Sequence, residues 1–204
     1  MAKNQVTVDT ELGAADRSFA ERARSAAHRP ALAISGPYGR PVHALLVTVP
    51  IGAWVCAVAF DVASLTVEGR AYARPAQWLV LIGIVAAVIA AIAGFLDFRR
   101  LTKGTRAHKV ATTHMLLMDA ALILFIVSFV LRRADETQFL DGTPVSAVVA
   151  AVAALLVLIV GAWIGGRLSY SYGVRVVDEA DQLAGYVLEP SSGRDDSADA
   201  ADEK

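Results

Sequence analysis

Residues 75–96 read PAQWLVLIGIVAAVIAAIAGFL, a run of 22 positions without a charged side chain. A helix rises about 1.5 Å per residue, so about 20 apolar residues are enough to cross the hydrocarbon core of a bilayer. Inside lipid every backbone amide must find its hydrogen bond within the protein, and a helix meets that condition by itself. This run therefore predicts a transmembrane helix.

Three further runs of similar length occur in the 204-residue chain. Residues 41–60 and 142–166 are uncharged, and residues 110–131 contain one charge, at Asp119. A 55% apolar composition with a mean hydropathy of +0.49 agrees with a lipid-facing surface. Because the connections are short, consecutive helices should be antiparallel neighbours. We predict an all-α, integral membrane four-helix up-down bundle with helices at about 41–65, 75–98, 109–132 and 143–167.

Basic residues are concentrated on one side of this predicted bundle. The loop at 97–109 carries five Lys and Arg residues, whereas the connections at 66–74 and 132–141 carry two each. Basic short loops stay on the cytoplasmic side, so both termini are expected in the cytoplasm of a bacterium, with the helices in its plasma membrane. The predicted organisation is a cytoplasmic N-terminal segment at 1–36 with an interfacial helix, a transmembrane domain at 37–177 and an acidic, largely disordered tail at 178–204.

Several classes of protein are disfavoured by what the sequence lacks. It contains no P-loop, dinucleotide fingerprint, HExxH motif or nucleophile elbow, so a conventional active site is not expected. The single cysteine, Cys56, lies in an apolar run and cannot form an intrachain disulfide. The expected surroundings are the lipid bilayer and other membrane proteins, without a nucleic-acid partner.

Ionisable residues at membrane depth are costly, so each is a candidate functional position. His43 and His114 lie at similar depths on the first and third helices, and the two helical hairpins run in the same direction. Two neutral imidazoles placed in this way are suited to bind haem b. The alternative is that each histidine only hydrogen-bonds a carboxylate, a backbone group or a lipid headgroup. The residues expected to converge at the cytoplasmic end are His43, Asp97, His108, His114, Tyr170 and Tyr172.

Three carboxyl groups also lie near or within the predicted helices. Asp119 is about 15 Å along the third helix, and it is either part of a proton or ion path or a buried carboxyl bonded to Thr112, Thr113 or another helix. Asp61 is expected to cap the outer end of the first helix. Asp97 is expected to pair with His108 or with an arginine of its own loop.

Gly161 and Gly165 form a GxxxG pair in the fourth helix. Such pairs let helix backbones approach closely. We expect packing within the bundle, with self-association as the alternative.

Four short motifs are distributed along the bundle region: GRPVHALLVTVPIG at 39–52, AFD at 59–61, AGFLD at 93–97 and GGRLSYSYGV at 165–174. Together with His114 they resemble the bacterial membrane family filed as domain of unknown function 2231, over about residues 37 to 177. Ala44 and Tyr172 depart from its pattern, which often has proline and histidine at these places. The resemblance implies a four-helix membrane domain of unassigned activity, sometimes joined to Rieske-type iron-sulfur domains.

Residues and resemblance together lead to three hypotheses. The first is a redox-associated accessory subunit that binds haem b between His43 and His114. The second is a non-catalytic structural subunit of a larger membrane complex, such as a respiratory complex. The third is a proton or ion carrier that uses Asp119.

Overall fold

The computed structural model describes residues 14–32, 35–66, 69–134, 142–184 and 186. Within these ranges the chain is helical or irregular and contains no strand. Most of the predicted acidic tail lies outside the described residues. The helices are α1 (Ala14–His28), α2 (Val42–Leu46), α3 (Thr48–Thr66), α4 (Gly69–Phe98), α5 (Arg106–Ala134), α6 (Val145–Tyr170) and α7 (Glu179–Ala184).

Four helical segments of the described chain are long and apolar enough to cross a membrane. We call them span 1 (Val42–Leu65), span 2 (Ala71–Phe98), span 3 (Arg106–Ala134) and span 4 (Val145–Tyr170). Many large apolar side chains on their outer faces are exposed, as lipid contact requires. The predicted all-α architecture with four membrane-crossing helices is confirmed.

Two prolines shape the first hairpin. Span 1 changes from α2 to α3 at Val47, three residues before Pro50, which has no amide hydrogen for the helical ladder. The helix axis continues nevertheless, because Val47 N donates to His43 O at 3.0 Å and Ile51 N donates to Val47 O at 3.2 Å. Helix α4 begins at Gly69, earlier than expected, and contains Pro75 inside it rather than at its start.

The four spans form a ring in which sequence neighbours are antiparallel. Spans 1 and 2 pack extensively, as do spans 3 and 4, and smaller contacts join span 2 to span 3 and span 4 to span 1. Spans 1 and 3 therefore lie diagonally opposite each other, and their side chains meet at the centre. There the rings of Trp54 and Phe125 stack with centroids 4.0 Å apart and planes 11° apart. The buried core around them is largely alanine, which allows close helix packing: Ala57, Ala121, Ala151 and Ala154.

The two hairpins correspond to each other at a constant interval of 71 residues, the separation of Asp61 from Arg132. Trp54 and Phe125, which stack on the bundle axis, have the same separation. So do the buried core residues Val80 and Ala151. Because both hairpins also run in the same direction, the bundle is a parallel repeat about an axis along its length.

A small cap covers one end of the bundle. Helix α1 contacts the connection between spans 2 and 3 through a cluster of Ala27, Leu101 and Ala111. The chain after span 4 is attached to α1, since Arg175 N donates to Ala27 O at 3.2 Å. Phe19 of α1 is exposed, and the interfacial position of this helix stays a prediction.

Candidate functional site

The bundle has two chemically different ends, which we name the Asp61 end and the histidine end. At the Asp61 end, Arg132 binds Asp61 in a bidentate pair, with Nη1 donating to Oδ1 at 2.6 Å and Nη2 to Oδ2 at 2.5 Å. Both side chains are fully buried. Thr143 Oγ1 donates to the same Asp61 Oδ1 at 3.0 Å, and Ser128 Oγ accepts from Arg132 Nη2 at 3.2 Å. The expectation that Asp61 only caps its helix is wrong.

This ion pair holds the two hairpins together. Asp61 comes from span 1 and Arg132 from span 3, so each charge neutralises the other inside the bundle. A buried pair of opposite charges needs such additional hydrogen bonds to offset its desolvation. The sequence analysis did not predict this ion pair, because Arg132 follows an apolar run and resembles an ordinary basic loop residue. The available signal was that Arg132 occupies the position in the second hairpin that Asp61 occupies in the first.

At the histidine end, two imidazoles make the same contact in the two hairpins. His43 Nδ1 lies 2.8 Å from Ala90 O, and His114 Nδ1 lies 2.8 Å from Gly161 O. In both cases the acceptor is 47 residues after the histidine and belongs to the other helix of the hairpin. His43 and His114 therefore occupy equivalent places in the repeat.

These hydrogen bonds determine which nitrogen of each ring carries the proton. A carbonyl oxygen can only accept, so Nδ1 of each ring must be the donor. In the neutral imidazole, Nε2 is then the nitrogen with a lone pair. Among the described residues, neither Nε2 has a hydrogen-bond partner. Both rings are thus held in the form that can bind a metal through Nε2.

Each histidine ring packs against a glycine of its partner helix. A Cβ placed on Gly94 would lie 2.8 Å from His43 Nδ1, and one on Gly165 would lie 2.6 Å from His114 Cε1. Any larger residue would displace the rings. Gly161 packs against Met118, so the GxxxG pair of span 4 lies against span 3 of the same chain.

Spans 1 and 3 present the two histidines to the same region. His43 precedes Trp54 by 11 residues and Asp61 by 18, which are about three and five helical turns, so these side chains share one helix face. The same spacing relates His114 to Phe125 and Arg132. Since the other two pairs meet between spans 1 and 3, His43 and His114 lie on the faces of these spans that meet along the bundle axis.

Asp97 has a different partner from the one expected. Its Oδ1 lies 3.3 Å from Nε of Arg175, a residue that is only 4% exposed. Arg175 Nη2 also donates to Ser35 O at 2.8 Å and Gly36 O at 3.1 Å, which fastens the cap to the bundle. Arg175 has a φ of 61°, in the left-handed region that favours glycine. Sequence reasoning missed Arg175, whose only signal was its place directly after the GGRLSYSYGV motif.

The expected convergence of six polar residues is reduced to a smaller group. His108 packs against the ring of Phe98, with centroids 4.9 Å apart, and does not bind Asp97. Tyr170 is 93% exposed and points away from the group, and Tyr172 is half-buried without a described contact to either histidine. No hydrogen bond or ion pair among the described residues joins Asp97 to either histidine, so of the six only His43 and His114 share a contact pattern.

Asp119 is not buried. Its side chain is exposed on the outer face of span 3, and no described residue pairs with it. Thr112 and Thr113 donate their hydroxyls to backbone oxygens of their own helix, at 2.9 and 3.1 Å, rather than to the carboxyl group. The interpretation of Asp119 as a buried, satisfied carboxyl is therefore wrong. An unsatisfied Asp at the centre of a membrane helix costs about 2.5–3.5 kcal/mol.

The described residues contain no cluster of three or more His, Cys, Asp or Glu side chains that could enclose a metal ion. Haem iron needs only two protein ligands, since the porphyrin supplies the other four. Nε2 of His43 and Nε2 of His114 are two such donor atoms.

Comparison with known proteins adds one finding. No curated protein and no solved structure matches the chain. Residues 39–178 match the family described as a predicted membrane protein, DUF2231, a multipass membrane family of unknown function. This match covers all four spans and both ends of the bundle. The chain therefore belongs to the DUF2231 family of predicted membrane proteins.

Proposed function

We propose that this membrane protein binds one haem b between spans 1 and 3, and that Nε2 of His43 and Nε2 of His114 would hold it. Its role would be that of an electron-carrying accessory subunit in the bacterial plasma membrane, with both termini in the cytoplasm. The observation that carries the proposal is the repeated contact of each Nδ1 with a backbone carbonyl, which leaves both Nε2 atoms without a hydrogen-bond partner among the described residues. A bound haem supplies one-electron redox chemistry.

The chain would prepare both imidazoles before the haem arrives. A hydrogen bond from Nδ1 to a carbonyl fixes the orientation of a ligand ring and raises the basicity of its other nitrogen. Gly94 and Gly165 provide the room in which the rings take that orientation. Cofactor sites in helix bundles are built from side chains on facing helices.

The rest of the bundle supports a site that opens only at the histidine end. Beyond the histidines, the stacked rings of Trp54 and Phe125 fill the bundle axis. Farther along, the Asp61–Arg132 pair closes the opposite end. Water and ions would therefore reach the two imidazoles from one side only, the end at which Asp97 pairs with Arg175.

The test is an absorption spectrum of the detergent-purified protein, titrated with haem and then reduced with dithionite. We expect a Soret band and a sharp α band in the wild type, and the loss of both in His43→Ala and in His114→Ala. His108→Ala is the matched control: this histidine is at the same end of the bundle but outside the repeated contact, so the spectrum should not change.

Folding of each variant is checked by circular dichroism and by elution as a single species. A wild-type protein that stays colourless during the titration rejects the proposal. So does a folded His43→Ala, His114→Ala double variant that keeps the wild-type spectrum.

A structural subunit is the second candidate, because the His43 and His114 hydrogen bonds join the helices of each hairpin even without a cofactor. It predicts that the histidine variants lose thermal stability in a protein that never binds haem. An ion carrier is not favoured, since Asp119 is exposed on the outer face of span 3.

A further inference from the structure

Asp119 interrupts an otherwise apolar stripe on the outer face of span 3. The other exposed members of this stripe are Leu116, Ile123, Ile126 and Val130. With Asp119 they are spaced by alternating steps of three and four residues. We call these five residues the span 3 seam. This spacing is that of the contact positions in coiled coils and in most packed membrane helices.

The seam is positioned in the middle of the membrane. Asp119 is about 15 Å along the helix from Lys109 and about 21 Å from Arg133, the exposed basic residues on either side of it. An aspartate side chain is too short to reach an interface over such a distance. Its carboxyl group therefore needs a partner that lies within the bilayer.

The equivalent position in the first hairpin does not need a polar partner within the bilayer. Thr48, on span 1, repeats the position of Asp119 and is also exposed. Its hydroxyl donates to Leu45 O of its own helix at 2.7 Å. The repeat thus shows that the fold does not need a carboxyl group here, and that Asp119 is an addition confined to one face.

We infer that the seam is the interface with a second copy of this chain, with span 3 against span 3 about a twofold axis along the membrane normal. In such a dimer the partner's Asp119 lies at the same depth by symmetry. A protonated carboxyl is both donor and acceptor, so the two groups satisfy each other. Any other partner would need a polar group that happens to lie at this depth and register. One buried polar pair in an apolar seam also specifies the register of the two helices.

The dimer is tested in lipid vesicles by fluorescence energy transfer between labelled copies over a range of protein-to-lipid ratios. Asp119→Leu should weaken dimerisation by about tenfold, the effect of losing an interhelical hydrogen bond of typical strength in a membrane. Asp119→Asn should keep the dimer, because the amide also donates and accepts. Thr48→Leu, at the matching position of the first hairpin, is the control and should have no effect.

Cross-linking locates the interface independently. In a Cys56→Ala background, Ile123→Cys should form an intermolecular disulfide, whereas Val149→Cys on the exposed face of span 4 should not. A wild type that is monomeric at every protein-to-lipid ratio overturns the inference and points to a different membrane partner. Equal dimerisation of wild type and Asp119→Leu also overturns it. The inference is independent of haem binding.

Discussion

The same structural repeat places a different pair of residues at each end of the bundle. At the Asp61 end, the repeat places an acid opposite a base, and the two form a buried, bidentate contact. At the histidine end, the repeat places one residue type in both hairpins, and each ring bonds its own partner helix. Because Nδ1 of each neutral imidazole donates to a carbonyl, only the acceptor Nε2 remains on each ring, and two acceptors cannot hydrogen-bond each other.

The two ends differ in whether their paired side chains can bond each other. Complementary residues on opposite sides of a repeat axis satisfy each other and need nothing else. Two imidazoles whose Nδ1 atoms donate to backbone carbonyls keep their Nε2 lone pairs for another group, and a metal centre accepts such lone pairs. The Asp61 end therefore has a structural role as an interhelical ion pair, and the histidine end is where the proposed haem would bind.

The largest effect is expected from removing one partner of the Asp61–Arg132 ion pair. Arg132→Leu leaves the carboxylate of Asp61 buried without its partner, which should lower the free energy of unfolding by about 3–5 kcal/mol. The measurement is denaturation in mixed detergent micelles, followed by circular dichroism.

A double variant distinguishes pairing from packing. Asp61→Leu with Arg132→Leu removes both charges and should be more stable than either single variant, since an apolar pair of similar volume often replaces a buried ion pair at little loss. If the two losses simply add, the pair does not couple the hairpins.

An intermediate effect is expected at the glycines of the histidine end. In Gly94→Ala and Gly165→Ala the added methyl group would overlap the neighbouring imidazole ring. Each variant should therefore lower the free energy of unfolding by about 1–3 kcal/mol. They should also change the position or intensity of the haem bands, if the rings are ligands.

Gly52→Ala is the matched control for these variants. Gly52 lies in the helix of span 1, and a Cβ there would meet nothing within 4 Å. This variant should be neutral or more stable by up to about 1 kcal/mol, because alanine favours the helix. Losses of equal size in all three variants would refute the close packing of the rings.

The smallest effect is expected at the cap. Arg175→Ala removes the bonds to Ser35 O and Gly36 O, so amide hydrogen exchange should accelerate in residues 35–40 and stay unchanged in the spans. Arg175→Gly should be more stable than Arg175→Ala by about 1 kcal/mol, because glycine adopts the positive φ without strain. Unchanged exchange in this segment would show that Arg175 does not hold the cap.

More of the fold than of the candidate site could be predicted from the sequence. Apolar length alone predicts the four spans, and short connections predict their antiparallel order. His43 and His114 were identifiable as a pair at equal depth. The ion pair was not, because Arg132 lies at the end of an apolar run and resembles an ordinary flanking cation.

Helix orientation was the other feature that the sequence did not reveal. Span 3 is apolar around most of its circumference, so no periodic pattern indicates which face points inward. For that reason Asp119 was expected inside the bundle, whereas it lies on the outer surface.

The sequence by itself determined that this chain crosses a membrane four times and carries histidines in two equivalent helices, because both properties depend on local composition and counting. Only the tertiary structure decided that Asp61 pairs with Arg132, that Nδ1 of each histidine contacts a backbone carbonyl and that Asp119 faces outward. Those properties depend on how distant segments rotate and meet around the repeat axis. In helices that are apolar on nearly every side, packing between small residues sets that rotation.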